Sequence, residues 1–499
     1  MKRNALTSLV FLILVPVLSS FYSIERKDEQ CGANRPDRPN VLILYMDDQG
    51  TLDAGCYGIK DIATPNIDKL SKEGILFTQA YAHTVCCPSR AALLTGRAPQ
   101  RSGVNNWTSC NPKDMKGRNM NLGEITLAEV LKGEGYRTAL IGKWHLGARD
   151  DHGPLDQGFD YFWGFRGGFI DYYSHNFLHA DWQKPQFHDL YRNRDEIFAE
   201  GTYFPTMQVK EATKYIKENS KHPFFLYVPF NLPHYPEQAD SIFSKKYSHL
   251  PWPRSSYAPM IATMDAKIGE ILNQLDESGI RENTLVIYMS DNGHSTEDYY
   301  NWDVSYGGNG GGGFTGEWRG AKGSFFEGGV RVPCIISYPS RFASGETRDQ
   351  AISNMDFLPT ICDLLEINKP DVSLDGSSIL PILLDVTASS PHEVLHWMWQ
   401  EMWAVRKGNW KLIFRGHDTT GKYSNHPEKE FAMPEYYLAR MEDEKAEEYN
   451  YTSEYPDIVE ELLKLHEAWA EDVFKDSGYP DPNKVQEGSQ DKGKGSVKL

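Results

Sequence analysis

Asn40-Val41-Leu42-Ile43-Leu44-Tyr45-Met46-Asp47-Asp48-Gln49-Gly50 decides the reading of this chain. After Asn40, six apolar residues in succession fit a strand covered on both faces, as in a parallel sheet sandwiched by helices. The run stops in two adjacent carboxylates, at the strand edge where open α/β sheets bind their ligands. Further apolar runs predict strands at Thr138–Ile141, Phe224–Pro229, Thr284–Ser290 and Cys334–Tyr338. Between them, helical spacing of apolar residues predicts helices over Asn66–Glu73, Ser89–Thr95, Leu127–Lys132, Met207–Asn219 and Ala258–Gly279. Strand alternating with helix implies an α/β fold with a mainly parallel, mixed sheet.

The pattern changes near residue 385. Trp403–Lys407 and Trp410–Phe414, joined by Gly408-Asn409, read as an antiparallel hairpin. An amphipathic helix follows from Asp457 to Phe474, with Ile458, Leu462, Leu465 and Trp469 on one face. The expected organisation is a large α/β catalytic domain over 38–385, a smaller α+β domain over 386–480, and a disordered Gly-, Ser- and Lys-rich tail over 487–499. At the amino end, Lys2 and Arg3 precede an apolar run from Leu6 to Leu18 and the small residues Ser19, Ser20 and Ser23. That is the pattern of a secretory signal over residues 1–23, and the run is shorter than the about 20 residues a span requires. The expectation is an exported protein, periplasmic or secreted, without a transmembrane anchor.

Composition narrows the class. In 499 residues, 52 Lys and Arg stand against 69 Asp and Glu, a net charge of −17, and no basic patch breaks the acidic background. Such a surface repels phosphate backbones, which excludes a nucleic-acid reader. With 12% aromatic residues and 40% hydrophobic residues the chain has the material for a large core. The seven cysteines, at 31, 56, 86, 87, 110, 334 and 362, have no metal-ligand spacing and are too scattered for a disulfide framework.

One segment carries the chemistry: Thr84-Val85-Cys86-Cys87-Pro88-Ser89-Arg90-Ala91-Ala92-Leu93-Leu94-Thr95-Gly96-Arg97. Pro88 suits a first helical turn, so Cys86 stands just before a helix N-terminus, where unpaired N–H groups and the dipole favour an anion. The Cys-x-Pro-Ser-Arg core with its Leu-Thr-Gly continuation resembles the type I, formylglycine-dependent sulfatases, an arylsulfatase-like family that includes marine bacterial polysaccharide sulfatases. The likeness continues in order along the chain. It runs through Asp47 and Asp48, Gly142-Lys143-Trp144-His145-Leu146-Gly147, Asn231-Leu232-Pro233-His234, and Ser290-Asp291-Asn292-Gly293. It ends in Arg319-Gly320-Ala321-Lys322-Gly323 with Glu327-Gly328-Gly329-Val330-Arg331-Val332-Pro333.

The resemblance implies an alkaline-phosphatase-like core and a Cys86 oxidised to formylglycine, whose hydrated aldehyde is the nucleophile. A formylglycine-generating enzyme is then a maturation partner, and Cys87 a spectator. It further implies one calcium ion per chain on Asp47, Asp48, Cys86, Asp291 and Asn292. The residues agree, since carboxylates and an amide form an oxygen set suited to a hard cation over zinc. By the same likeness Arg90 grips the nucleophile's hydroxyl, Lys143 and Lys322 neutralise sulfate oxygens, and Asp291 helps deprotonate the attacking group. His234 with Lys322 protonates the leaving oxygen, and His145 takes the proton that restores the aldehyde. These roles combine electrostatic, acid–base and nucleophilic catalysis.

On the substrate side, Phe169-Ile170-Asp171-Tyr172-Tyr173-Ser174-His175-Asn176 resembles a pocket loop of glycan sulfatases, which makes His175 the first substrate-binding candidate, followed by His294 and Arg319. Trp403 and Arg406 are candidates for the pocket rim, and Tyr306–Gly313 reads as a mobile loop, lacking the Gly-Lys-Ser/Thr of a phosphate cradle. Gln49 departs from the Leu or His of many relatives. The sequons at Asn106 and Asn450 decide nothing. The expected reaction is hydrolysis of a sulfate ester on an algal polysaccharide of ulvan or carrageenan type, or on its oligosaccharides, with glycosaminoglycans next. Two rivals are a phosphonate or phosphodiester hydrolase of the same fold and a non-catalytic binder of sulfated glycans.

Overall fold

The computed structural model describes residues 38–177, 186–296, 311–417, 433–477 and 480–485. The expected signal segment, Cys31, most of the Tyr306–Gly313 loop and the 487–499 tail lie outside them. Asn40–Asp47 forms the central strand of an 11-stranded sheet, and all eight of its residues are buried. Its alternation serves two cores at once. Val41, Ile43 and Tyr45 enter one apolar cluster, Leu42, Leu44 and Met46 the other. The helices Cys86–Thr95, Leu127–Gly133 and Phe357–Leu365 cover the first face. Pro65–Lys72, Phe204–Asn219 and Arg254–Glu277 cover the second. A capping box holds one helix start, where the Thr126 side chain accepts from Glu129 N and Glu129 Oε2 from Thr126 N at 2.8 Å.

Both neighbours of the central strand run parallel to it: Thr284–Ser290 on one side and Phe224–Pro233 on the other. Arg137–Lys143 and then Tyr161–Phe165 extend the parallel part. Register sets Met46 opposite Ser290 and Asp47 opposite Pro233, so the residues following three strands emerge side by side at one edge. On the far side the sheet turns antiparallel. Arg331–Ser337 pairs with Thr284–Ser290, and Ile75–Tyr81 pairs with Arg331–Ser337. The Ile75–Tyr81 strand was not expected from the sequence, because Thr78 and Gln79 interrupt its apolar run.

Four antiparallel strands, Val394–Trp399, Met402–Lys407, Trp410–Phe414 and Tyr436–Arg440, make a second sheet. One face sets Trp397, Ala404 and Ile413 against Tyr81, Phe325, Phe326 and Val330. The other sets Trp403, Val405 and Leu412 against Leu462 and Trp469 of the helix Pro456–Ser477. The hairpin at Gly408-Asn409 forms as read, with Lys407 opposite Trp410 and Gly408 at φ 55°, a conformation glycine takes at little cost. None of the described helices is long and apolar enough to cross a membrane.

Candidate active site

The carboxyl edge of the parallel strands delivers the chemistry. Asp47 ends the central strand, and Asp48 follows at φ 65°, a left-handed turn that Asp tolerates better than most residues. Lys143 ends its strand, and His145 follows in a left-handed turn at φ 54°. Asp291 and Asn292 leave the Thr284–Ser290 strand, and His234 leaves Phe224–Pro233. Cys86 is the first residue of its helix, one position further in than the sequence implied, with Val85 as the N-cap. Ser89 bolts that helix to the edge. Its hydroxyl accepts from His83 N at 2.8 Å and donates to the Asp291 carbonyl.

Contacts draw these groups into one buried cluster. Lys143 Nζ donates to Asp47 Oδ2 at 2.7 Å. Arg90 Nη2 donates to Asp291 Oδ2 at 2.6 Å and stands 3.5 Å from Asp47 Oδ1. Lys322 Nζ reaches Asp48 Oδ2 at 3.0 Å and His234 Nε2 at 3.1 Å. Asn292 Nδ2 donates to Asp48 Oδ1 at 2.6 Å. The loop bearing Lys322 is pinned by its backbone, with Lys322 N on the His294 carbonyl at 2.9 Å and Gly323 N on the Thr84 carbonyl at 2.7 Å.

Three carboxylates, Asp47, Asp48 and Asp291, therefore face three cations, Arg90, Lys143 and Lys322. Burial alone pushes the Asp47 carboxyl up, but Lys143, His234, Arg90 and Lys322 together hold it well below the usual range. Asp291 goes the other way, to about 7, through burial and the charge of Asp47. Burial and Lys322 press His234 down to about 3, so its imidazole is neutral. Burial drives the Cys86 thiol well above its usual range, although Lys143 and Lys322 oppose it.

The oxygen donors of the cluster, Asp47, Asp48, Asp291 and Asn292, would suit a hard divalent cation. Asp47, Asp48, Cys86 and His234 each place a ligand atom within 4.8 Å of the others. Asp47 Oδ1 and Asn292 Oδ1 are buried oxygens that accept no hydrogen bond among the described residues. Buried acceptors left without a donor are costly, and a cation on oxygen ligands removes that cost. With all three carboxylates ionised the cluster carries no net charge, so a divalent ion would leave it net positive toward an anion.

Four of the five residues proposed for substrate contact or the pocket rim are engaged elsewhere in the structure. His175 is fully buried, its Nε2 against the Thr202 carbonyl at 2.9 Å and its ring beside His188 and Phe204. Arg319 points to the second sheet, donating to Tyr437 Oη at 2.8 Å and the Glu447 carbonyl at 2.7 Å. Trp403 stacks on His466 beneath the closing helix, with ring centroids 3.9 Å apart. Arg406 bonds Gln79 at 3.0 Å and Tyr81. His294 serves the cluster through its carbonyl on Lys322 N. The sequence reading missed Trp107, which stacks on His145 at 6.0 Å with 12° between planes, while Thr108 Oγ1 donates to the His145 carbonyl at 2.9 Å. Phe169 stacks similarly on His234 at 5.1 Å.

Comparison with known proteins matches this geometry. A family model described as Sulfatase matches residues 39–367, and one described as N-sulphoglucosamine sulphohydrolase, C-terminal, matches 316–419. Steryl-sulfatase of Homo sapiens is 32% identical over 450 residues, covering 76% of this chain and 75% of that protein. N-acetylgalactosamine-6-sulfatase of Canis lupus familiaris is 32% identical over 403 residues, covering 77% and 73%. Among solved structures, Ps i-CgsB in complex with k-i-k-neocarrahexaose superposes with a TM-score of 0.73 at 26% identity, covering 90% of this chain and 96% of that one.

Proposed function

From the premise that this chain belongs to the sulfatase family and is a sulfuric ester hydrolase, we propose that it removes sulfate from a carbohydrate, with a nucleophile made from Cys86. Its fold is the alkaline-phosphatase-like α/β core with an added antiparallel sheet. The observation that carries the proposal is the convergence of Cys86, Asp47, Asp48, Arg90, Lys143, His234, Asp291, Asn292 and Lys322 at one buried edge.

As a cysteine, residue 86 is a poor nucleophile, because burial keeps its thiol protonated. Conversion to formylglycine would supply a hydroxyl nucleophile, and a calcium ion on Asp47, Asp48, Asp291, Asn292 and residue 86 would withdraw charge from sulfate oxygens. The side chains divide the remaining work. Arg90 and Lys143 present fixed positive charge in a water-poor site, where preorganised donors are most effective against developing negative charge. Asp291, raised to about 7, is poised to accept a proton near neutral pH. Lys322 Nζ, 3.1 Å from the neutral His234 Nε2, holds the proton for the leaving oxygen, and His234 is placed to relay it. His145, its ring held by Trp107 and its Nδ1 without a hydrogen bond among the described residues, is the base for the step that releases sulfate.

A carbohydrate substrate is favoured by the carrageenan hexaose bound to Ps i-CgsB and by the sugar sulfatases among the relatives. We propose a carrageenan-type galactan or its oligosaccharides as the leading substrate, with ulvan and glycosaminoglycans as the alternatives. The basic-then-apolar stretch from Lys2 to Leu18 supports export to the periplasm or beyond. The test is free sulfate released from oligosaccharides of these three classes by protein co-produced with a formylglycine-generating enzyme. Release from one class names the substrate. A converted enzyme that frees sulfate from none of them but hydrolyses phosphate diesters would overturn the reading.

A further inference from the structure

The segment that seats His145 also lines a cavity of about 680 Å³. Trp107 forms part of its wall, and Lys116, Arg118, Arg149 and His152 contribute basic groups against the single carboxylate of Asp114. That carboxylate is committed to the turn it sits in, accepting from Lys116 N at 3.1 Å and from Ser109 Oγ at 3.2 Å. Arg149 is forked onto Asp151 at 2.6 and 3.0 Å. Lys116 and Arg118 are exposed and form no ion pair among the described residues; Arg118 only donates to the Trp107 carbonyl at 3.4 Å. A basic, aromatic-walled hollow is out of character for a chain of net charge −17. Arg118 also lines a second cavity, of about 350 Å³, that reaches Gln400 and Glu401 in the turn of the second sheet. The two hollows together suit a ligand longer than one sugar.

We propose that the cavity at Trp107, Lys116 and Arg118 is a second anion subsite. It takes a further sulfate or a carboxylate of a polyanionic saccharide chain whose scissile sulfate lies against residue 86. Trp107 offers an apolar face to the sugar, and its ring joins this subsite to the catalytic cluster through His145. The inference rests on the carbohydrate reading above. It adds that the enzyme grips its substrate by more than the sulfate it removes.

The test is equilibrium binding to the catalytically blank Cys86→Ala protein, with and without the double exchange Lys116→Ala/Arg118→Ala. Both exchanged side chains are exposed, so the fold tolerates them, and equal melting temperatures verify it. Three probes are used: a sulfated galactan oligosaccharide without uronate, a sulfated oligosaccharide with uronate, and a polyuronate oligosaccharide without sulfate. The double exchange is expected to weaken binding of at least one probe about tenfold or more, and to make binding less sensitive to salt. A loss on the uronate-free probe assigns a sulfate, and a loss on the polyuronate assigns a carboxylate. Equal affinity with and without the two residues, or binding of no probe, overturns the subsite. Failure of the carbohydrate reading shows separately, as absence of sulfate release by the converted wild-type enzyme.

Discussion

Cys86 is buried with two ammonium groups near it, yet burial outweighs them and keeps the thiol protonated. Its exchange to Ala or Ser is expected to lower sulfate release at least about a thousandfold, as loss of a nucleophile does elsewhere. Lys322 argues for a finer test. It contacts both Asp48 and His234, so Lys322→Ala is expected to lower kcat about a hundredfold or more on a sulfated sugar. The loss should be smaller on 4-nitrophenyl sulfate, whose leaving oxygen needs no proton. A loss of equal size on both substrates would remove Lys322 from leaving-group protonation. Asp47, Lys143, His234 and Asp291 were legible because each ends or follows a strand that reads as apolar, whereas Cys86 and Lys322, at a helix start and in a loop, were legible only through the motifs around them. His175 was not legible in the same way. Nothing in an aromatic-rich loop says whether a histidine faces a pocket or, as here, turns inward to the Thr202 carbonyl.

Among the elements, the lysine loop depends on groups far from it in sequence. Gly293 allows the turn that carries Asp291 and Asn292 to touch it. Gly293 N donates to the Gly329 carbonyl at 2.9 Å, and a Cβ at Gly293 would fall 1.8 Å from the Gly328 carbonyl. Beyond it Lys411, from the second sheet, is fully buried between Glu327 at 3.0 Å and Glu447 at 2.9 Å. Burial and Glu327 push Glu447 to about 7, whereas Lys411 and two arginines overcome burial to hold Glu327 near 2. Lys411→Met would leave two carboxylates without their shared cation, and a loss of about 3–5 kcal/mol is expected in chemical denaturation. A second ion pair gives a pH signature. The turn Asn354–Asp356 supports the Cys86 helix, with Asn354 Nδ2 on the Ser89 carbonyl at 2.9 Å, and His392 Nε2 lies 2.8 Å from the Asp356 carboxylate. Burial lowers the His392 pKa, but Asp356 more than offsets this and raises it. A raised folded-state pKa adds stability that is complete below the unfolded histidine value and disappears as pH rises through the folded one. The melting-temperature penalty of His392→Gln should therefore be largest near pH 5.5 and shrink toward pH 8.5. The long apolar strands and the helices between them were readable for the same reason that they are stable, continuous burial. Strands whose apolar run is interrupted, such as Ile75–Tyr81 and Tyr436–Arg440, gain their pairing from partners distant in the chain and leave little trace in their own sequence.

At the scale of the molecule, an acidic protein proposed to act on acidic chains must concentrate its positive charge locally. The cluster at the sheet edge does so only when a divalent cation tips its balance of three carboxylates and three cations. Chelation is expected to lower the melting temperature by a few degrees, with calcium restoring it, because a cation bound only by the folded state stabilises that state. A melting temperature indifferent to both chelator and calcium would remove the ion from the account. The central claim, that residue 86 becomes the nucleophile of a carbohydrate sulfatase, is tested most directly in preparations that differ only in conversion. The fraction of residue 86 present as formylglycine is measured by mass spectrometry of its peptide, and sulfate release from the responding oligosaccharide is measured in the same samples. The account predicts a rate proportional to that fraction and no release from Cys86→Ala; sulfate released equally fast by protein that retains an unmodified Cys86 would contradict it.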